Sequence, residues 1–301
     1  MTIVFLGEPM VEFNQRTDGL FDKGLGGDVS NAAISCARNG GEVTMASALG
    51  DDAFGDDVLA IWRNEGIDTS GVVRDPQHPT GLYFVTHDET GHHYTYRRSG
   101  SAASHYRFDE TLSQTIRDAQ HLHVSAISQA ISDTAADTVF KALDTARASR
   151  TAISYDTNLR LNLWPLKRAR GVIHEAMTLC DIALPSIDDA VQLTGLTEPD
   201  AIVDFYLNLG ATRVVLKRGA EGALIADGDT RDSIPPLSVN TIDTNAAGDT
   251  FAGALLAELA RGQPWREAAT YANKAAGIST TGKGAVTSIP RRDQVEAFVP
   301  Q

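Results

Sequence analysis

Thiols are nearly missing from this chain of 301 residues, which holds only Cys36 and Cys180. Two such residues make no disulfide framework, so a reducing compartment, the cytoplasm, is the expected location. Long apolar runs are missing too, and no stretch approaches membrane-spanning length. Ile3-Val4-Phe5-Leu6, followed at once by Gly7-Glu8, is too short for a secretory signal. Positive charge is scarce: 26 Lys and Arg stand against 39 Asp and Glu, a formal net charge of −13. That balance argues against nucleic acid or an anionic membrane surface as partner. Internal repeats, low-complexity segments and Pro- or Gly-rich linkers are absent. The hydrophobic share of 42% and charged share of 22% are those of an ordinary globular protein.

What is present is an alternation. Ile3 to Leu6, Val43 to Ala48, His121 to Ser125, Ala152 to Tyr155, Ile182 to Leu184 and Arg213 to Lys217 read as short apolar strands. Amphipathic stretches such as Asp51 to Glu65, Asp133 to Ala148 and Trp164 to Leu179 lie between most of them. This pattern predicts an α/β protein with a mainly parallel sheet and helices on both faces. Thr80 to His87 and His92 to Arg98 break the alternation as two β-rich runs joined by Asp88-Glu89-Thr90-Gly91, a hairpin signal. With Met10 to Gln15 they suit a small second sheet. Tyr94, Tyr96 and Arg98 fall on one face of their strand, with Tyr83 on the partner strand. A guanidinium beside phenol hydroxyls suits a carboxylate; a solvated surface strand is the plainer alternative.

The most informative stretch runs from Ile242 to Ala254, IDTNAAGDTFAGA. Small residues at Ala246, Ala247 and Gly248 let the backbone approach a ligand, and Gly248 has access to unusual φ/ψ values. Phe251, Leu255, Leu256 and Leu259 recur at helical spacing, so an amphipathic helix is expected to start near Gly248. Its first N–H groups form an anion site. Asp249 at that mouth is placed to take a proton from an alcohol while those groups hold phosphate charge. The alternative is an acidic residue that only favours the helix macrodipole.

Asp243-Thr244-Asn245-Ala246-Ala247-Gly248-Asp249 resembles the C-terminal signature of the PfkB/ribokinase family of sugar kinases. Gly26-Gly27-Asp28-Val29-Ser30-Asn31-Ala32-Ala33 is similar to its N-terminal signature, and Val214 to Gly222 to its nucleotide-side strand and turn. The similarity runs in order from about Ile3 to Pro290. It implies a single ribokinase-like three-layer domain over 1–301 with a β-sheet lid formed by about 10–20 and 80–100. It also implies ATP and Mg²⁺ as cofactors and a homo-oligomer, dimer or higher, through an exposed lid edge. Within the family, Tyr155-Asp156-Thr157-Asn158-Leu159-Arg160 and Tyr96 to Ala103 resemble 2-keto-3-deoxygluconate kinases. The expected substrate is therefore a small sugar acid. Tyr96, Arg98 and Arg160 would hold it, the two arginines neutralising its carboxylate, while Gly27, Asn31 and Tyr83 contact hydroxyl or keto groups. Asp249 is the expected base, with the Ala246, Ala247 and Gly248 N–H groups as anion hole. Alternative readings are a kinase for a neutral sugar such as fructose or ribose, and a silent sugar-binding sensor.

On the nucleotide side the expected residues are Ser186, Lys217, Gly219, Gly222, Gly248 and Asn273. Lys217, Arg218, Arg98 and Arg160 are the cations an acidic protein would have to gather there. Pro185-Ser186-Ile187-Asp188-Asp189 departs from the family's Asn-x-x-Glu, so no direct metal ligand is assigned and Asp189 would act through water. Lys217 to Gly222 reads equally as a β-hairpin turn into Ala223-Leu224-Ile225. Gly282-Lys283-Gly284-Ala285 is expected to close over the nucleotide. His121, His123 and the His92-His93 pair are not at zinc spacing. Gly24 to Gly27 lacks a full dinucleotide fingerprint, which disfavours a dehydrogenase.

Overall fold

Val4 and Leu6 enter one hydrophobic core and Ile3 and Phe5 the other, so the first strand is buried on both faces. A continuous apolar run of that kind belongs inside a parallel sheet. The computed structural model describes residues 2–88 and 91–299, with the His92 side chain outside the description. Glu89 and Thr90 of the expected hairpin turn lie outside the described residues.

The strands in chain order are β1 (Thr2–Leu6), β2 (Met10–Gln15), β3 (Phe21–Gly26), β4 (Glu42–Gly50), β5 (Asp68–Asp75), β6 (Leu82–Asp88) and β7 (Gly91–Arg97). β8 (His121–Ser125), β9 (Ala152–Asp156), β10 (Ile182–Ala183), β11 (Arg213–Lys217), β12 (Ala223–Asp227) and β13 (Thr230–Ile234) follow. Nine of them form one sheet in the order β13-β12-β11-β10-β9-β8-β1-β4-β5, in which only β12 runs against the others, pairing antiparallel with β11 and β13. Helices cover both faces, giving three layers. β3-β2-β6-β7 form the small sheet, in which β2 and β6 run parallel.

β1 lies between β8 and β4, so the chain's winding direction changes at the β1–β8 junction. Open α/β sheets bind ligands outside the carboxyl ends of their strands at such a point. Helix starts are capped locally. Ser132 accepts from Ala135 N at 2.9 Å to begin Asp133–Ser149, and Asp52 accepts from Gly55 N at 2.8 Å to begin Ala53–Asn64.

The helix behind the small-residue loop differs from expectation. It spans Ala247–Ala260 and is buried on every side from Thr250 to Glu258, so it is not amphipathic. The reason is its place between the helices Asp28–Arg38 and Trp265–Ser279, both packed against it.

Candidate active site

Strand ends on one side of the large sheet open into a cavity of about 540 Å³. Met10 after β1, Ile127 after β8, Asp156 at the end of β9, Ser186 after β10 and Lys217 at the end of β11 all line it. The small sheet adds Tyr83, Tyr94 and Tyr96, and Arg98 follows it. The N-terminus of the Ala247–Ala260 helix and the start of Asp28–Arg38 complete the wall.

Asp249 stands in the first turn of its helix, and its Oδ2 accepts from Asn31 Nδ2 at 2.9 Å. Burial pushes its carboxyl up to about 7, and the nearby Asp28 carboxylate adds to the rise. Such a group is half deprotonated near neutral pH, where a general base is most effective. The left-handed residue at this helix start is Ala246, with φ 59°, rather than the glycine the sequence suggested. Ala246 is thus held in a conformation disfavoured for a side chain, as strained backbone at functional sites often is. Ala247 lines the cavity and its N–H donates to Thr244 O in a long bond of 3.3 Å.

Lys217 Nζ lies 2.5 Å from Asp156 Oδ2. A Cβ built on Gly248 would sit 3.4 Å from that Nζ, so the ammonium stands beside the helix N-terminus. A cation beside a helix N-terminus makes a phosphate site. Ser186 and Gly219 line the same cavity. Gly222 does not: a Cβ there would collide with Ile234 O, and its φ of 79° serves the turn between β11 and β12. Asn273 is also outside the cavity wall, donating to Pro235 O at 2.9 Å. Arg218 is paired with Glu221. The 282–285 loop is fastened to the helix-start motif, with Gly284 N donating to Asp243 Oδ2 at 3.1 Å.

At the other end, Tyr94 and Tyr96 stack with centroids 6.3 Å apart, and Tyr83 lies 5.8 Å from Tyr96. Arg98 sits over the Tyr96 ring at 5.4 Å. The expected cluster therefore exists, with two qualifications. Tyr83 donates its hydroxyl to Glu12, and burial pushes its own ionisation far above the usual range. Arg98 is paired with the buried Glu8. Arg160 donates to Leu159 O at 3.0 Å. Gly27, with φ 103°, begins the Asp28–Arg38 helix, and any side chain there would collide with Glu8 O.

Asn158 and Asp28, which had no expected role, have definite places. Asn158, at φ 20°, donates from Nδ2 to Asp28 Oδ2 at 2.9 Å, while its N–H reaches Asp156 Oδ1 at 3.2 Å. That pins the loop carrying Arg160 to the start of the Asp28–Arg38 helix. Asp28 Oδ1 and Asn31 Oδ1 are buried without a hydrogen-bond partner among the described residues, which leaves two acceptors in the cavity wall. Asp189 Oδ2 accepts from Thr157 Oγ1 and Leu159 N, each at 3.1 Å, and burial pushes its carboxyl up. The signal for Glu8 was its position just past β1, on the ligand side of the sheet.

Residues 2–292 match the pfkB family carbohydrate kinase description. The chain belongs to that family. The kinase is 31% identical over 306 residues to 2-dehydro-3-deoxygluconokinase of Bacillus subtilis strain 168, covering 98% of this chain and 94% of that protein. It is 31% identical over 316 residues to probable fructokinase-4 of Arabidopsis thaliana, covering 99% and 96% respectively. A solved putative ribokinase II from E. coli in complex with ATP and Mg²⁺ superposes with a TM-score of 0.88 at 25% identity, over 98% of this chain and 97% of that one. The kinase thus has the ribokinase-like α/β fold. No described helix is long and apolar enough to cross a membrane.

Proposed function

We propose that this carbohydrate kinase transfers the γ-phosphoryl group of ATP to the primary hydroxyl of 2-keto-3-deoxygluconate, giving the 6-phosphate. The observation that carries the reading is one cavity with Asp249, at an anion-binding helix start, and Arg160, Arg98, Tyr83, Tyr94 and Tyr96 in its wall. The sugar hydroxyl oxygen bonds to the γ-phosphorus as the bond from that phosphorus to the β–γ bridging oxygen breaks. The hydroxyl proton passes to Asp249, and ADP leaves. The N–H groups at Ala246, Ala247 and Gly248 and the Lys217 ammonium stabilise charge on the transferring group.

The donors present fit Mg²⁺ in its usual manner, which is to keep several waters and take phosphate oxygens with one or two carboxylates. Asp189 would hold that water shell from the cavity wall, and the ion would supply neutralisation of phosphate charge. The small sheet serves as the lid of a single domain and excludes water, which would otherwise take the phosphoryl group. Its edge strands fit a dimer contact, and the use of ATP fits a cytoplasmic enzyme.

A neutral sugar is the second reading, favoured by the Glu8 partner that Arg98 already has. ADP release measured with 2-keto-3-deoxygluconate, fructose and ribose side by side decides between them. A preference for the keto-deoxy acid that Arg160→Gln abolishes supports the proposal. Equal or better turnover of fructose overturns it.

A further inference from the structure

Three cations line the cavity, and they are balanced differently. Lys217 has Asp156 at 2.5 Å. Arg98 has Glu8, whose carboxylate takes hydrogen bonds from both Nε, at 2.9 Å, and Nη2. Arg160 bonds only a backbone carbonyl, and among the described residues no carboxylate pairs with it.

Glu8 is built into its place. It is 1% exposed, and its second oxygen takes a 3.4 Å bond from Ser101 Oγ. Burial pushes its carboxyl up, and the guanidinium beside it pulls the other way. Arginine does not deprotonate in proteins, and two of its N–H groups point at one Glu8 oxygen, so the pair is an ion pair. Arg98 is 9% exposed and faces the cavity. Two of its donors are fixed on Glu8, and the rest of its fork remains for a ligand.

From this we infer that Glu8 is a specificity-determining positioning residue: it aims Arg98 at the sugar and cancels its charge, leaving Arg160 to read the substrate's charge. Arg98 then contributes oriented hydrogen bonds that suit a carboxylate, a keto oxygen or a hydroxyl alike. The inference rests on the sugar-kinase reading of the cavity and names how that site discriminates acid from neutral sugars.

The test is the ratio of kcat/KM for 2-keto-3-deoxygluconate to that for fructose. Glu8→Gln keeps an oxygen to accept from Arg98 but removes the compensating charge. The ratio should rise roughly tenfold, through a lower KM for the acid, with KM for ATP unmoved. Glu8→Gln with Arg98→Gln removes both charges. Both specificity constants should fall while their ratio returns to within about twofold of wild type. An unchanged or lower ratio in Glu8→Gln means the charge was not being cancelled, and overturns the inference. So does a double variant whose ratio falls far below wild type. If the single variant does not fold, with its arginine left unpaired, the neutral double variant decides alone. The wild-type ratio judges the sugar-acid reading; the change in that ratio judges Glu8.

Discussion

Asn31 donates from its side-chain amide to Asp249 Oδ2 at 2.9 Å, joining the first turns of two helices that lie 218 residues apart in sequence. The bond holds the carboxylate of Asp249 in one orientation and favours its charged form. Burial and the Asp28 carboxylate oppose that preference.

Asp249→Asn should reduce turnover by roughly three orders of magnitude, the usual contribution of a positioned base, and leave sugar binding nearly intact. The same change should stabilise the fold. A carboxyl whose folded value is raised to about 7 from an ordinary 3.8 contributes stability below 3.8 and loses it as pH rises through 7. The asparagine should therefore gain about 4 kcal/mol at pH 8 and little at pH 4. Urea unfolding at the two pH values checks the stability claim, and single-turnover kinetics with sugar-binding calorimetry checks the other.

The acid limb of the rate profile should respond to the neighbours of Asp249 in opposite directions. Asn31→Ala removes a hydrogen bond to the charged form, so the limb should move to higher pH. Asp28→Asn removes a repelling charge while keeping an acceptor for Asn158, so the limb should move lower. Profiles of kcat from pH 5 to 9 read both shifts, and limbs that stay together would remove Asp249 as the titrating group.

Acid should unfold this protein early. His121 Nε2 and His123 Nδ1 each lie 2.8 Å from the single hydroxyl of Ser154. The hydroxyl has one hydrogen and two acceptor lone pairs, so it serves both rings at once. Burial pushes each down to about 3 from 6.5, with His123 further lowering His121 and Lys217 lowering His123. A depressed histidine gives stability above 6.5 that is lost as pH falls towards 3, because the unfolded chain takes up the protons first. Urea midpoints should drop steeply between pH 6.5 and 5. Replacing both histidines by glutamine should flatten that slope.

Ala246→Gly should stabilise the fold by about 1 kcal/mol, since the left-handed backbone at this position penalises any Cβ. Chemical denaturation of the two proteins measures it. A loss of stability instead would mean that the Ala246 methyl makes contacts worth more than the strain.

The sequence displayed the parallel sheet because β1 and β11 hold continuous apolar runs and β8 and β9 are short strands set between helical stretches. It hid β3 and β5, which start with the exposed Phe21-Asp22-Lys23 and the polar Asp68-Thr69-Ser70 at sheet edges, where pairing rather than burial makes the strand. Asp249, Lys217, Tyr96 and Arg160 were legible because each stands in a motif at a strand or helix end. Glu8 and Asp28 were not, since their importance lies in partners at Arg98 and Asn158, which are 90 and 130 residues away. Gly222, in an expected turn, and Asn273, on an expected helix, lie outside the cavity wall, where Gly222 serves the turn into β12 and Asn273 donates to Pro235 O.

Every connection between the two sheets passes the same residue. Glu8 leads into β2, Gly27 leaves β3 against the Glu8 carbonyl, a Cβ on Gly81 just before β6 would lie 3.4 Å from Glu8 Oε1, and Arg98 leaves β7 bound to Glu8. The small sheet is therefore tethered at a single pivot. Any swing it makes has almost no lever arm at Arg98 and the longest one at the far end of β6 and β7, where Asp88 pairs with Gly91. Tyr94, a cavity-lining residue farther from the pivot than Arg98, would travel further than the arginine in such a swing.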